Sequence, residues 1–257
     1  MIRRILTALV MAPAAVFTIL YAPAWLFLLL TALVACGCFL EFQRLAHDHG
    51  ASLQPLIGLA GGLVILLCPL DQGFLALIAA VLGGMAVAMR SEGPGNVLSD
   101  SAALSLGLVY CFATWRCGIA LRDLAPHWLL FALALNWIAD SFAYLGGRAT
   151  GRHKMAPMLS PAKTWEGAAW SVAGSLLFGW LFLGHFAPER SLPQVLLLAL
   201  AANIAGQLGD LAESALKRGA GRKDSGNLLP GHGGWLDRMD SSLFAMPVVY
   251  LGLVRFL

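Results

Sequence analysis

Charge is scarce in this chain. Lys, Arg, Asp and Glu make up 12% of its 257 residues, whereas apolar residues make up 59% and the mean hydropathy is +0.75. That balance excludes an ordinary soluble domain and places the chain among polytopic membrane proteins. Room for a separate soluble domain is also missing, because the length is consumed by apolar runs of about 17 to 22 residues, each able to cross a bilayer. There is no internal repeat and no low-complexity tract. The five cysteines (Cys36, Cys38, Cys68, Cys111 and Cys117) fall inside or beside apolar runs. Their spacing suggests neither a zinc site nor a disulfide framework. Cys36 and Cys38, two positions apart, point to different sides of a helix and read as small packing residues.

What is present is a series of apolar spans, at roughly 5–21, 24–40, 55–69, 74–89, 97–114, 127–147, 166–187, 194–217 and 237–255. These make an all-α, polytopic integral membrane protein with about nine transmembrane helices. Met1-Ile-Arg-Arg and the run after it resemble a signal peptide, with Ala22-Pro23-Ala24 as a cleavage site. A second apolar run begins at once, so the first is read as an uncleaved helix. Spans three and four are short and rich in glycine (Gly58, Gly61, Gly62; Gly83, Gly84), which predicts close packing, little tilt or partial re-entry.

With the amino terminus inside, Arg116, Arg122, Arg190 and Arg255 fall outside and the other thirteen of seventeen cations fall on the cytoplasmic side. That is the bias of the positive-inside rule, and an odd span count then puts the carboxyl terminus outside. Two long polar inner loops remain, Arg148 to Thr164 and Arg218 to Leu236. Residues 1–257 are read as one membrane domain, with N-terminal helices in 1–126 (spans one to five) preceding spans six to nine and their polar loops in 127–257.

Polar residues inside the spans form stripes. Asn203, Gln207, Asp210, Ser214 and Lys217 recur at intervals of four, three, four and three, one face of a helix, with Glu213 beside them. A charge in the core of a lone helix costs about 2.5–3.5 kcal/mol, so the stripe must face partners or a wet cavity. Helix–helix glue accounts for Asn203 and Gln207 but poorly for Asp210. Asn136, Asp140, Tyr144 and Arg148 repeat the pattern in span six. Asp237, Asp240 and Ser241 share one face at the cytoplasmic start of span nine, where capping explains one aspartate, Asp240 being the natural choice. Hard oxygen ligands on consecutive helices suit magnesium, with Asp210 and Asp237 the best pair.

The inner loops carry cations among backbone-permissive residues. Ser214 to Asp240 holds Lys217, Arg218, Arg222 and Lys223 with aspartates, His232 and glycines, a bed for a polyphosphate and a divalent metal. The bland alternative is a basic loop that only fixes topology. Arg148, Arg152, Lys154 and Lys163 offer contacts to a second anionic group. Docking on anionic headgroups competes with that reading without excluding it. His153 and His232 suit hydrogen bonding or phosphate contact at least as well as acid–base work.

Two blocks, Asp140–Gly167 and Gly209–Ser241, resemble the bacterial phosphatidate cytidylyltransferase family. The signature Ser-x-apolar-Lys-Arg, Lys-Asp, Pro-x-His-Gly-Gly and Asp-Arg-x-Asp is present at Ser214–Arg218, Lys223–Asp224, Pro230–Gly234 and Asp237–Asp240. Trp235 and Arg152 depart from the usual residues without removing a charge or a carboxylate. The resemblance implies transfer of the cytidylyl group of CTP to phosphatidic acid, giving CDP-diacylglycerol and pyrophosphate, at the cytoplasmic face of a bacterial inner membrane.

On that resemblance Asp210 and Asp237 hold Mg2+, with Asp240 and Asp140 supporting the shell, and a second cation such as K+ is allowed. Lys217, Arg218 and Lys223 neutralise the triphosphate and the leaving pyrophosphate. Arg148, Lys154 and Lys163 contact the phosphatidate phosphate or the nucleotide, Ser214 supplies an oxygen ligand or a hydrogen bond, and Asn136 makes a deeper contact. Asp224, His232 and Arg238 complete the substrate-binding set through the signature. Expected partners are CTP, phosphatidic acid and membrane lipids, not nucleic acid, and a homodimer stays open. Other CTP-using lipid enzymes are rivals, and so is transport, which predicts repeat symmetry and midplane sites.

Overall fold

The computed structural model describes residues 2–52, 54–89, 94–226 and 233–255. Among them are ten α-helices: α1 (Ile2–Tyr21), α2 (Ala24–Asp48), α3 (Pro55–Leu67), α4 (Leu70–Ala88), α5 (Val97–Gly107), α6 (Thr114–Leu124), α7 (Pro126–Thr150), α8 (Trp165–Phe186), α9 (Leu192–Gly219) and α10 (Leu236–Arg255). A π-helical segment, Leu108–Ala113, joins α5 to α6. Among the described residues six stretches are long and apolar enough to cross a membrane: α2, α4, Val97–Leu124, α7, α8 and α9. The protein is all-α and polytopic. Helix α3, with 13 residues, spans about 20 Å at 1.5 Å per residue, short of the roughly 30 Å hydrocarbon core.

Several helices outrun the apolar spans read from the sequence. Helix α2 continues past residue 40 to Asp48, and the fifth span continues past residue 114 to Leu124. Hydropathy marks where lipid ends, but backbone hydrogen bonding continues into the interface until a capping or breaking residue stops it. Pro126 begins α7 at a position where its missing N–H costs nothing.

The chain divides into two compact units, residues 1–120 with 216–239 and residues 121–215 with 240–257. In the first unit the glycines of α3 serve close approach: Gly58 lies under the Phe39 ring and Gly62 under the Phe112 ring, where a Cβ would overlap either ring. Those rings meet at 5.5 Å. The close packing expected of span three is present.

In the second unit α7 and α8 are drawn together by small residues. A Cβ on Gly146 would collide with Trp170, and one on Gly147 would lie 3.3 Å from the Gly167 Cα. Helix α9 joins through Asn203, whose amide donates to Ser171 Oγ at 2.9 Å and Ser175 Oγ at 2.8 Å. Each such bond in lipid is worth about 0.6 kcal/mol, enough to fix rotation of a helix about its axis. Asn203 is therefore glue, as its burial and partners require.

The loop after α7 is partly regular rather than wholly irregular. Strands β1 (Lys154–Ala156) and β2 (Ser160–Thr164) pair antiparallel, with Lys154 opposite Thr164 and Ala156 opposite Ser160. The Thr164 hydroxyl caps α8 by accepting from Gly167 N at 3.1 Å. Glu166, in the first turn of α8, accepts from Arg152 N at 3.1 Å and meets His153 Nδ1 at 2.6 Å. Cap and carboxylate together bend the chain into a hairpin that apolar patterning alone does not announce.

Candidate active site

The second unit contains a cavity of about 340 Å3. Helix α7 contributes Asp140, Tyr144 and Arg148, spaced so that one face lines it; β2 adds Lys163 and Thr164, and α9 adds Gln207 and Asp210. The stripe read in span six thus faces a cavity, and so does part of the stripe in span eight. Asn136 is buried and does not line it; its amide donates to Ala132 O at 2.9 Å and to Ser242 Oγ at 3.4 Å. Gln207 lines the cavity and also donates to Asn203 Oδ1 at 2.7 Å.

At the cavity wall Lys163 Nζ lies 2.7 Å from Asp210 Oδ2, both side chains roughly a quarter to a third exposed, at 25% and 32%. Ser214 Oγ donates to Asp210 Oδ1 over 3.4 Å. A pair this open contributes about 0–1 kcal/mol, so either partner can exchange for another ion without a large penalty. Lys154 is exposed at the start of β1 and is not part of the lining.

The first unit holds a second acidic cluster, with a closed environment. Lys217 Nζ donates to Asp237 Oδ1 at 2.6 Å, their side chains 13% and 8% exposed. Asp237 Oδ2 accepts from Gly234 N at 2.8 Å, Ser225 N at 3.0 Å and Ser225 Oγ at 2.9 Å. Those donors come from Ser225 within the basic loop and from Gly234 just before α10, while Asp240 accepts from Ser241 N at 2.7 Å. A carboxylate offers about four lone-pair sites, and Lys217, Gly234 and Ser225 between them occupy most of these. Gly233 adopts φ +82° immediately before this turn, a conformation that favours glycine.

Other sequence-selected cations lie around that loop. Arg218 Nη1 donates to Arg222 O at 3.1 Å, Arg222 Nε pairs with Asp48, and Lys223, Asp224 and Arg238 are exposed. Asp240 is half-buried in the second unit. His232 lies outside the described residues. Among the described residues no group of three or more His, Cys, Asp or Glu is placed to hold a metal. One or two carboxylates with an open remainder suit magnesium, which keeps water and takes phosphate oxygens. Asp210, open to the cavity, fits that description; Asp237 would first have to exchange a donor.

A sequence model of the Cytidylyltransferase family matches residues 2–256. The chain belongs to that family. A Brucella abortus protein named phosphatidate cytidylyltransferase is 34% identical over 266 residues, 96% of this chain and 91% of that one. Proteins of the same name from Staphylococcus haemolyticus and Bacillus subtilis are 39% and 40% identical over 158 residues. The chain spans 58% of the length of each of those two.

Sequence reading missed Glu41 and Asp48, and read His49 only as an interfacial residue at a span end. Glu41 and Asp48 belong to the α2 extension beyond the apolar run, and His49 follows it directly. Glu41 Oε2 accepts from Ser225 Oγ and Leu236 N, both at 2.9 Å, and His49 Nε2 meets Leu216 O at 3.0 Å. Glu41 and Asp48 stand seven residues apart, two helical turns, and that spacing was the available signal.

Proposed function

We propose that this membrane protein transfers the cytidylyl group of CTP to phosphatidic acid, releasing pyrophosphate. The observation that carries the proposal is a cavity lined by Arg148, Lys163, Asp140 and Asp210 in a multi-pass member of the Cytidylyltransferase family. The relatives' name supplies the substrates. A phosphatidate oxygen attacks the α-phosphorus of CTP, a P–O bond forms, and the bond to the β-phosphate oxygen breaks with its electrons leaving on pyrophosphate. A phosphomonoester with a second pKa near 6 is already ionised at neutral pH, so no general base is needed. Positioning and charge neutralisation carry the rate.

Lys217, Arg218 and Lys223 are assigned to the triphosphate and pyrophosphate, and Arg148, Lys154 and Lys163 to the lipid phosphate or the nucleotide. Asp210 and Asp237 are assigned to Mg2+ on sequence grounds, with Asp140 and Asp240 in support. Bound there, the metal would neutralise phosphate charge, and K+ is a candidate second cation. Ser214, Asp224, His232, Arg238 and Asn136 are the remaining assignments to substrate binding. The cation bias of the loops supports an active site on the cytoplasmic side of a bacterial inner membrane.

The test is incubation of the purified, detergent-solubilised protein with phosphatidic acid, radiolabelled CTP and magnesium, with and without EDTA. Label in the lipid phase together with pyrophosphate, lost on chelation, is the expected result. Folded protein that yields no labelled lipid overturns the proposal.

A further inference from the structure

Glu41 is wholly buried, a costly place for a carboxyl group. Its Oε1 has no hydrogen-bond partner among the described residues, and none of their ion pairs involves it. An apolar residue would fill the same space at lower cost, so packing does not account for it. Its Oε2 instead takes the Ser225 hydroxyl and the Leu236 N–H, each at 2.9 Å. These two groups lie eleven positions apart, at the two ends of the segment between Ser225 and α10.

Two glycines make the approach feasible. A Cβ on Gly226 or on Gly234 would overlap the Glu41 carboxyl group. The Ser225 hydroxyl also lies 2.9 Å from Asp237 Oδ2. One hydroxyl proton serves one acceptor at a time, so Ser225 links the buried carboxyl of α2 to the carboxylate at the start of α10. The end of α2 also reaches the chain before Ser225, through Asp48 to Arg222 and, one residue past the helix, His49 to Leu216 O.

We infer that Glu41 is a positioning residue: it ties Ser225 to Leu236 and so sets where Asp237 and its Lys217 partner stand. The kinetic part of this inference rests on the proposed cytidylyl transfer; the structural part does not.

The test uses the full-length protein in detergent, comparing wild type with Glu41→Ala, Glu41→Gln and, as a control for a buried carboxyl elsewhere, Asp100→Asn. Hydrogen exchange at the amides of Gly234 to Leu236 should quicken by about tenfold or more in Glu41→Ala and stay unchanged in Asp100→Asn. Displacing Asp237 should lower kcat by about a hundredfold in Glu41→Ala. Glu41→Gln keeps a carbonyl acceptor and should recover activity to within about fivefold of wild type, a rescue that loss of packing alone does not give. Where Glu41→Ala fails to fold, Ser225→Ala removes the linking hydroxyl and should lower kcat by about tenfold in protein that remains folded. Wild-type exchange and turnover in folded Glu41→Ala, or equal loss in the Gln and Ala variants with exchange unaltered, overturns the inference. If wild type makes no labelled lipid, the proposed reaction fails, and the exchange data alone decide on Glu41.

Discussion

Lys163–Asp210 and Lys217–Asp237 differ in length by a tenth of an ångström, 2.7 against 2.6 Å, and in almost everything around them. Asp210 is 32% exposed on a cavity wall, with a long hydrogen bond from Ser214 besides its lysine. Asp237 is 8% exposed and saturated by Ser225 and Gly234. The same two residue types therefore make an exchangeable ion pair in one unit and a closed structural knot in the other. Environment separates them: screening makes an open pair nearly free to break, while breaking a desolvated pair strands a charge.

The sharpest way to break this comparison is to neutralise each aspartate. Asp237→Asn should both abolish turnover and lower Tm by about 5 °C or more, because Lys217 is left without its counter-charge. Asp210→Asn should reduce turnover by about a thousandfold, the scale expected when a metal is deprived of one carboxylate ligand, while Tm stays within about 3 °C. Thermal unfolding followed beside the radiolabel assay separates the two. Equal stability losses would show that the closed and open clusters do not differ as described, and near-normal activity in both would remove the metal assignment.

A smaller effect is expected from the lysine of the open pair. Lys163→Met should raise KM for phosphatidic acid by about tenfold, because the lipid phosphate then lacks one charge-assisted bond at a partly exposed position, and leave KM for CTP unchanged. The reverse pattern would assign the cavity wall to the nucleotide.

The ion-paired residues of both sites were legible in the sequence, but the anchors of the closed one, Glu41 and Ser225, were not. Asp140, Tyr144 and Arg148 announce themselves by a spacing of four on a helix, and Asp210 by its place in an apolar run where helix–helix glue does not account for it. Local periodicity suffices because each stripe lies on one helix. Glu41 lies 184 positions from Ser225 and at the edge of an apolar run, where a carboxylate looks interfacial. The spacing of seven from Asp48 puts both carboxylates on one helix face but does not tell a buried anchor from a solvated helix end. The β1–β2 hairpin escaped for a related reason: its cause is a capping threonine and a first-turn glutamate, not an alternating apolar pattern.

Ser214 offers the finest division of the open site. Its hydroxyl reaches Asp210 over 3.4 Å, at the weak limit for an O–H donor, whose usual distance is about 2.7–2.8 Å. As a hydrogen-bond partner it is worth at most about 1 kcal/mol, and Asp210 has Lys163 as a closer neighbour. Ser214→Ala should therefore lower kcat/KM by no more than about fivefold, with the magnesium concentration for half-maximal rate unchanged. A ligand oxygen would behave differently, since its removal would shift the magnesium requirement and the rate together. A magnesium titration of wild type and Ser214→Ala decides between the two roles, and a shift of about tenfold or more would place the hydroxyl on the metal.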